Sequence, residues 1–178
     1  DHAPEMLKFV EPHSPTRFNP NRDPDPYAEA PGGMAWGRNI SAAPIRIGQL
    51  GPWRGKIRTP TSDVRLSYEE IVDTFLFAAP QKNVIRFLPH LIWRKLTGAR
   101  TRGTALTIGL LKGCLDHGVE IWSETSALRL LTDDVGVTGL EAECGGRSIT
   151  IEATKGVVLA SGGFEWNKDM MAEHFPGP

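Results

Sequence analysis

Apolar residues recur at three- and four-residue spacing between positions 67 and 117, which predicts a helical region. Its first helix begins at Ser67, because Ser67 and Glu70 have the spacing of a capping box, in which a hydroxyl and a carboxylate bind each other's backbone amides. Apolar positions continue at helical spacing to Ala79, and Pro80 ends or interrupts the run.

Two further helices follow in this region. The apolar pattern of residues 84–96 predicts the second helix, with a kink or break at Pro89. The third runs from Gly103 to His117 and is apolar around most of its circumference, so we expect it to be well buried. Gly118 suits the left-handed residue that ends many helices.

The pattern changes to short extended stretches after Gly118. Four stretches predict strands, and pairs of turn residues separate the last three, which indicates a three-stranded antiparallel meander. The predicted strands are residues 119–122, 127–131, 137–143 and 148–152, with turns at 133–134 and 145–146.

A continuous apolar run near the carboxyl end is followed by small residues. Residues 156–160 predict a strand covered on both faces, and Ser161, Gly162 and Gly163 precede a helix expected near Asn167. Small side chains let another group approach the backbone closely, and at the end of a parallel strand that group is often a cofactor phosphate or ribose. A strand-to-helix turn without a ligand explains the same pattern equally well.

Prolines dominate the region from Pro12 to about Pro60, after a short helix predicted from Pro4 to Val10. That density excludes a sustained helix. Aromatic residues such as Trp36 are interleaved, which is unusual for a disordered linker. We therefore expect an ordered, irregular segment laid across another surface.

Composition excludes several classes of function. Lys+Arg 20 against Asp+Glu 21 gives a net charge of -1, which argues against a nucleic-acid surface or a polybasic membrane patch. The apolar runs are too short for a transmembrane segment. Cys114 and Cys144 lie far apart and the 5 histidines lack ligand spacing, so no disulfide framework or metal site is expected. The chain begins at Asp1 rather than Met, and we expect it to be an internal piece of a larger protein.

Residues 103–167 resemble the flavoprotein family of fumarate reductases and 3-ketosteroid dehydrogenases. The matching pieces are residues 103–106, 118–121, 137–140 and 158–167, in the family's order and spacing. Ser161 stands where the family usually has Thr or Ala. Residues 27–33, followed by Gly37 and Arg38, are similar to a segment of the ketosteroid-dehydrogenase branch, although the match departs by about one residue at Tyr27.

The resemblance implies an α/β (α+β) fold: a partial FAD-binding, Rossmann-like domain with helices and a three-stranded antiparallel meander. In that scheme residues 1–66 are an irregular Pro-rich segment, 67–117 are helices, and 118–167 are the meander and the return strand. The family's Gly-x-Gly-x-x-Gly unit and its catalytic domain are absent from the chain. We therefore expect a middle slice that alone neither holds FAD tightly nor turns over substrate.

The resemblance also implies cofactor contacts. The residues expected to lie against the FAD are Ala160, Ser161, Gly162 and Gly163. The loop of residues 126–128 is expected to meet the adenine through its backbone, with Ala127 as the single residue we select. An ordinary meander position explains Ala127 equally well.

Tyr27 is the candidate catalytic residue, because ketosteroid dehydrogenases place a tyrosine of the corresponding segment beside the steroid, where it assists proton abstraction. A phenol has a pKa of about 10 and needs a neighbouring group to act as a base near neutral pH. The competing interpretation, which the residue type alone favours, is a surface tyrosine with a packed ring and a hydrated hydroxyl.

The resemblance implies that the parent protein is a cytoplasmic FAD-dependent oxidoreductase of the 3-ketosteroid dehydrogenase type. Such an enzyme introduces a C=C bond into a small-molecule substrate by hydride transfer to the flavin, and the rest of the parent chain is this chain's partner. A fumarate reductase or succinate dehydrogenase-like flavoprotein, acting on a dicarboxylate, is the alternative. Two others are a non-catalytic interaction domain whose Pro-rich first third wraps a partner, and a binder of another nucleotide.

Overall fold

In a computed structural model, the described part of the chain comprises residues 2–58, 60, 65–72, 80–175 and 177. It divides into two units, Asp1–Glu120 and Ile121–Pro178.

The first unit combines helices with pairs of very short strands. The helices are α1 (Ala3–His13), α2 (Tyr68–Val72), α3 (Pro80–Thr97) and α4 (Arg102–Asp116); the strands are β1 (Phe18–Pro20), β2 (Ile40–Ala42), β3 (Ile45–Arg46) and β4 (Ala99–Arg100). Strands β1 and β2 pair antiparallel, as do β3 and β4. A 3-10 segment, Ile47–Lys56, follows β3 and is interrupted at Gly51.

The core of this unit forms where the irregular first third lies on α4. Ile108 of α4 is fully buried, and with Ala105 it packs in one cluster with Ala42, Ile45 and Leu50. The expectation of an ordered, irregular segment covering another surface is therefore confirmed for the part that contains Ala42, Ile45 and Leu50, whereas Trp36 is 62% exposed.

Two glycines let the chain that follows α1 approach α4 closely. A Cβ on Gly113 would lie 2.8 Å from the carbonyl oxygen of His13 and 2.8 Å from Cβ of Ser14. A Cβ on Gly109 would overlap the side chain of Thr16, which is itself buried. Only one face of α4 is covered in this way, and Leu110 remains 41% exposed, so the expectation of burial around most of the helix is wrong.

The capping box at Ser67 is confirmed. The Ser67 amide donates to Oε2 of Glu70 (2.8 Å), and the Glu70 amide donates to Oγ of Ser67 (3.3 Å). The predicted continuation of this helix to Ala79 lies outside the described residues.

Helix α3 continues through Pro89, so the predicted break is not observed. A proline inside a helix costs about 3 kcal/mol, and tertiary contacts on both sides offset that cost. Phe87 is buried, and Arg94 forms a bidentate ion pair with Glu70 (2.6 and 3.0 Å).

The second unit is built on the predicted meander, which is confirmed. Its strands are β5 (Thr125–Thr132), β6 (Val137–Cys144) and β7 (Arg147–Glu152), followed by α5 (Lys168–His174). The three strands pair antiparallel in chain order. Gly145 and Gly146 both have positive φ, as a tight two-residue hairpin turn requires. Asn167 caps α5 by accepting a hydrogen bond from the Met170 amide.

Two predicted strands are not formed. Residues 119–122 are irregular and span the division between the units at Glu120 and Ile121. Residues 156–160 are irregular as well, although their sequence is strongly apolar. A strand needs a hydrogen-bonding neighbour, and none of the paired strands in the described ranges includes either stretch.

Within the described residues, no helix has the length and apolar character needed to cross a membrane.

We predict that Gly113→Ala destabilises the protein by about 1–3 kcal/mol, because the new methyl group meets the backbone of His13 and the segment has to shift. Gly103→Ala, in the same helix, is the control. Its Cβ meets nothing within 4 Å, so this change is expected to be neutral or to stabilise by up to about 1 kcal/mol. Thermal unfolding measures both effects. Equal stability of the two variants would contradict the close approach.

Candidate functional site

The apolar run of residues 156–160 is exposed. Val158 and Leu159 are 91% and 72% exposed, whereas a strand covered on both faces would bury them. The prediction of a covered strand is therefore wrong for this structure, because nothing in the second unit as described pairs with the run. Adjacent large apolar side chains on a surface are typical of a region that binds another layer.

The small residues after this run leave their backbone open. Gly162 has φ +83, a conformation that side chains disfavour, and a Cβ there would meet nothing within 4 Å. Ala160 and Ser161 precede it and are exposed. Gly163 borders a cavity of about 310 Å³ that is lined also by Phe164, Glu165, Met171 and Phe175. A flat group can therefore approach the main chain at Gly162, whereas at Gly163 the Glu165 carboxylate occupies the space next to the backbone, 2.5 Å from where a Cβ would lie.

Ala127 lies in β5, opposite Ala142 of β6. The strand register shifts between Ala127 and Arg129, and Leu128 at this bulge is 56% exposed. Bulges re-aim a strand's side chains and are common beside active sites. Ala127 belongs to the second unit, like residues 160–163.

Tyr27 belongs to the first unit and occupies a turn. Its amide donates to Oδ1 of Asp25 (2.9 Å), and its carbonyl accepts from the Ala30 amide (3.0 Å). The hydrogen bond from the Tyr27 amide has the largest effect on the pKa of Asp25. Together with the Arg38 guanidinium it holds that pKa below its usual value, although burial acts to raise it. The Tyr27 ring is 71% exposed, so the turn fixes its backbone while its side chain remains available for contact.

Gly33 completes this turn. Its amide donates to the carbonyl of Ala30 (2.7 Å), and a Cβ would overlap the carbonyl of Tyr27 and lie 2.6 Å from that of Ala28. The sequence therefore uses glycine at this position because the backbone passes too close for any side chain.

The first unit has a cavity of about 440 Å³ that opens at the amino terminus of α4. That size falls within the range of small-molecule pockets, about 300–1,000 Å³. We call it the α4 cavity. Its lining residues are Phe18, Asn21, Asn39, Ile40, Ser41, Ala42, Tyr68, Arg102, Gly103 and Leu106.

Asn21 is the buried polar residue of the α4 cavity. The residue is 3% exposed, and its side-chain oxygen is enclosed without a hydrogen-bond partner among the described residues. Its backbone is fixed by a bond from the Asn21 amide to the Asn39 carbonyl (2.8 Å).

Tyr68 is held in the same cavity by its hydrogen bond to Asp23 and by the contacts that fix its helix, α2. Its hydroxyl donates to Oδ2 of Asp23 (2.8 Å), and this bond together with burial raises the pKa of Tyr68. Burial opposes ionisation of the neighbouring Glu70, but hydrogen bonds from Arg94 and the Ser67 amide outweigh it and hold the pKa of Glu70 below its usual value. The charged Glu70 thus fixes α2, and with it Tyr68.

Sequence reasoning missed the α4 cavity. It singled out residues 103–106 and the capping box next to Tyr68, but it did not predict that Gly103, Leu106 and Tyr68 line the same cavity. Asn21 carries no sequence signal, because a buried amide without a partner is recognised only from its surroundings.

Comparison with known proteins identifies a family. A family model described as an FAD binding domain matches residues 1–177. The chain is 30% identical over 194 residues to a 3-oxosteroid 1-dehydrogenase of Mycolicibacterium smegmatis, covering 100% of this chain and 34% of that protein. It is 27% identical over 192 residues to a 4-oxocyclohex-2-ene-1-carboxylate 5-dehydrogenase of Sinomonas cyclohexanicum, covering 99% of this chain and 32% of that protein.

A solved structure agrees with these relatives. The crystal structure of 3-ketosteroid delta1-dehydrogenase from Sterolibacterium denitrificans, in complex with 1,4-androstadiene-3,17-dione, matches with a TM-score of 0.82 and 27% identity. The match covers 96% of this chain and 34% of that one, so the chain spans about a third of the length of these relatives.

We predict that Gly33→Ala loosens the Tyr27 turn, because the added methyl group overlaps the Tyr27 carbonyl. Amide exchange of Ala30 and Gly33, which donate within the turn, should accelerate by at least about tenfold. The control is Gly55→Ala, where a Cβ meets nothing within 4 Å. Unchanged protection in Gly33→Ala would contradict the steric argument.

Proposed function

Because the chain belongs to the FAD binding domain family, we propose that its parent protein is an oxidoreductase that dehydrogenates a cyclic ketone, with a 3-ketosteroid as substrate. FAD is the cofactor of this family. The observation that carries the substrate proposal is that the similarity to ketosteroid dehydrogenases extends over 96–100% of the chain, including both the Tyr27 turn and residues 160–163.

The open backbone of the second unit fits FAD. Ala160, Ser161, Gly162 and Gly163 would hold it, because Gly162 leaves free space where other residues carry a side chain. We propose that Ala127 contributes a backbone contact to the adenine, supported by its position at the β5 bulge. When bound, FAD supplies the acceptor that takes a hydride from a substrate carbon.

We propose that Tyr27 assists removal of the proton. Dehydrogenation of a ketone ring breaks two C–H bonds on adjacent carbons and forms a C=C bond; the proton goes to a protein group as the hydride leaves. The exposed ring of Tyr27, on a turn fixed through Asp25 and Gly33, suits a residue that meets substrate.

The proposal includes further parts of the parent chain as partners of this one, because the relatives are about three times as long. We propose that these parts cover the exposed run at Val158 and Leu159, hold the pyrophosphate, and supply the other catalytic groups. The proposal also includes a cytoplasmic location, where thiols such as those of Cys114 and Cys144 remain reduced.

We predict that the full-length protein binds FAD and that Gly162→Val weakens binding by at least about tenfold, since valine disfavours φ +83 and fills the open space. Flavin absorbance of the purified protein and titration of the apoprotein with FAD measure this. Gly48→Val, at another position with open space and no left-handed φ, should leave binding unchanged. A full-length protein that binds no flavin would refute the cofactor assignment and support the non-catalytic interaction domain.

We predict that the full-length holoprotein dehydrogenates a 3-ketosteroid in the presence of an artificial electron acceptor, and that Tyr27→Phe lowers kcat by about 10²-fold with FAD content unchanged. Spectrophotometric detection of the new conjugated double bond measures the rate. An unchanged kcat in Tyr27→Phe would refute the catalytic role of Tyr27. Reduction of fumarate without turnover of any cyclic ketone would favour the dicarboxylate alternative.

A further inference from the structure

We propose that helix α3 binds the surface of a membrane that contains anionic lipids. The helix lies in the plane of the interface, with its exposed apolar face among the acyl chains and its basic side chains at the headgroups. This contact does not depend on the proposed function. Under that function, it brings the enzyme to the phase in which an apolar ring ketone dissolves.

The large apolar side chains of α3 are exposed together on one face. Two of them, Ile85 and Leu96, are 74% and 81% exposed. At about 3.6 residues per turn, the exposed apolar residues of α3 share one continuous arc of about 140°. An ordinary surface helix turns such an arc toward the core. The residues of this arc, which we call the α3 apolar face, are Ile85, Leu88, Ile92, Trp93 and Leu96.

The opposite face of α3 attaches the helix to the first unit. Phe87 and Arg94 are buried on that side. Arg94 pairs with Glu70 and also donates to the carbonyl oxygen of Arg65 (2.7 Å). Because these contacts hold α3 in place without the α3 apolar face, that face remains available for a partner outside the described part of the first unit.

Basic side chains border the α3 apolar face on both sides. Arg86 adjoins the arc on one side and Lys95 on the other, and both are exposed. Arg46 adds a third positive charge, because Cζ of its guanidinium lies 5.7 Å from the centre of the Trp93 ring. Residues 80–97 contain no Asp or Glu. The net charge of -1 is a sum over the whole chain and conceals this local excess of positive charge.

This combination favours a lipid surface over the other possible occupants. A helix with Trp on its apolar side and Lys or Arg beside it is typical of helices that lie in a membrane interface, and anionic headgroups attract such basic residues. A second copy of the chain would bring two sets of basic side chains together, which repel each other. A segment of the parent protein would need acidic side chains along both borders to match them.

The first test measures flotation of the full-length holoprotein with lipid vesicles. We expect binding to vesicles of phosphatidylcholine and phosphatidylglycerol in equal parts, and much weaker binding to vesicles of phosphatidylcholine alone. Added salt should weaken the binding, because it screens the attraction between exposed charges. Absence of binding to the anionic vesicles at low salt would overturn the inference.

A substitution in the α3 apolar face tests the apolar contribution. Leu96→Gln should lower the vesicle partition coefficient by about tenfold, because one apolar side chain no longer enters the lipid. Val135→Gln, which changes an exposed apolar residue of the second unit, should leave the coefficient unchanged. Glutamine is a good helix former, so the melting temperature without vesicles should stay the same in Leu96→Gln. A lower melting temperature together with no vesicle binding would overturn the inference and assign the face to a segment of the parent protein.

Substitutions at the border test the electrostatic contribution. Arg86→Gln and Lys95→Gln should each lower binding to the anionic vesicles by about fivefold and make it less sensitive to salt. Lys155→Gln, which removes an exposed charge from the second unit, is the control and should have no effect. Equal binding of all these variants would overturn the inference. Vesicle binding by a full-length protein without flavin would support the inference while refuting the proposed function.

Discussion

The close approach of helix α4 to the chain that follows α1 determines the arrangement of the first unit. Gly109 and Gly113 leave no room for side chains at this contact, so the segment of His13 to Thr16 lies directly on the helix. The neighbouring face of α4 carries Ile108, around which the short strands and the 3-10 segment assemble their core. Packing along the side of α4 thus leaves its amino terminus at the edge of the core, where the α4 cavity opens.

Local signals in the sequence predicted the elements that are complete within one stretch of chain. The capping box at Ser67, the meander with its Gly145–Gly146 turn, and the helix near Asn167 all depend on residues close in sequence, and all are observed. At Pro89 the sequence predicted a kink or a break, and the break is not observed. The ion pair between Arg94 and Glu70, which helps to hold this helix, joins residues 24 apart in sequence. Tertiary contacts of this kind override the low helix propensity of a single residue such as Pro89.

The apolar run of residues 156–160 shows a different limit. Its apolar composition is typical of a strand that is covered on both faces. Whether such a strand forms depends on the neighbouring elements that cover it and not only on the run itself. In the described second unit the run has none, so its side chains stay exposed. Among the candidate site residues, those carried by a motif could be named from sequence, whereas Asn21 could not, because its significance comes from its burial without a hydrogen bond.

We propose that further parts of the parent protein and its FAD cover residues 157–163. Amide hydrogen exchange of these residues in the full-length holoprotein is the direct test. We expect protection of Val158 and Leu159 comparable to that of strand β6, with further protection at Ser161 and Gly162 when FAD is added to the apoprotein. Exchange at the rate of an unstructured peptide, with and without FAD, would show that neither the parent protein nor FAD covers these residues.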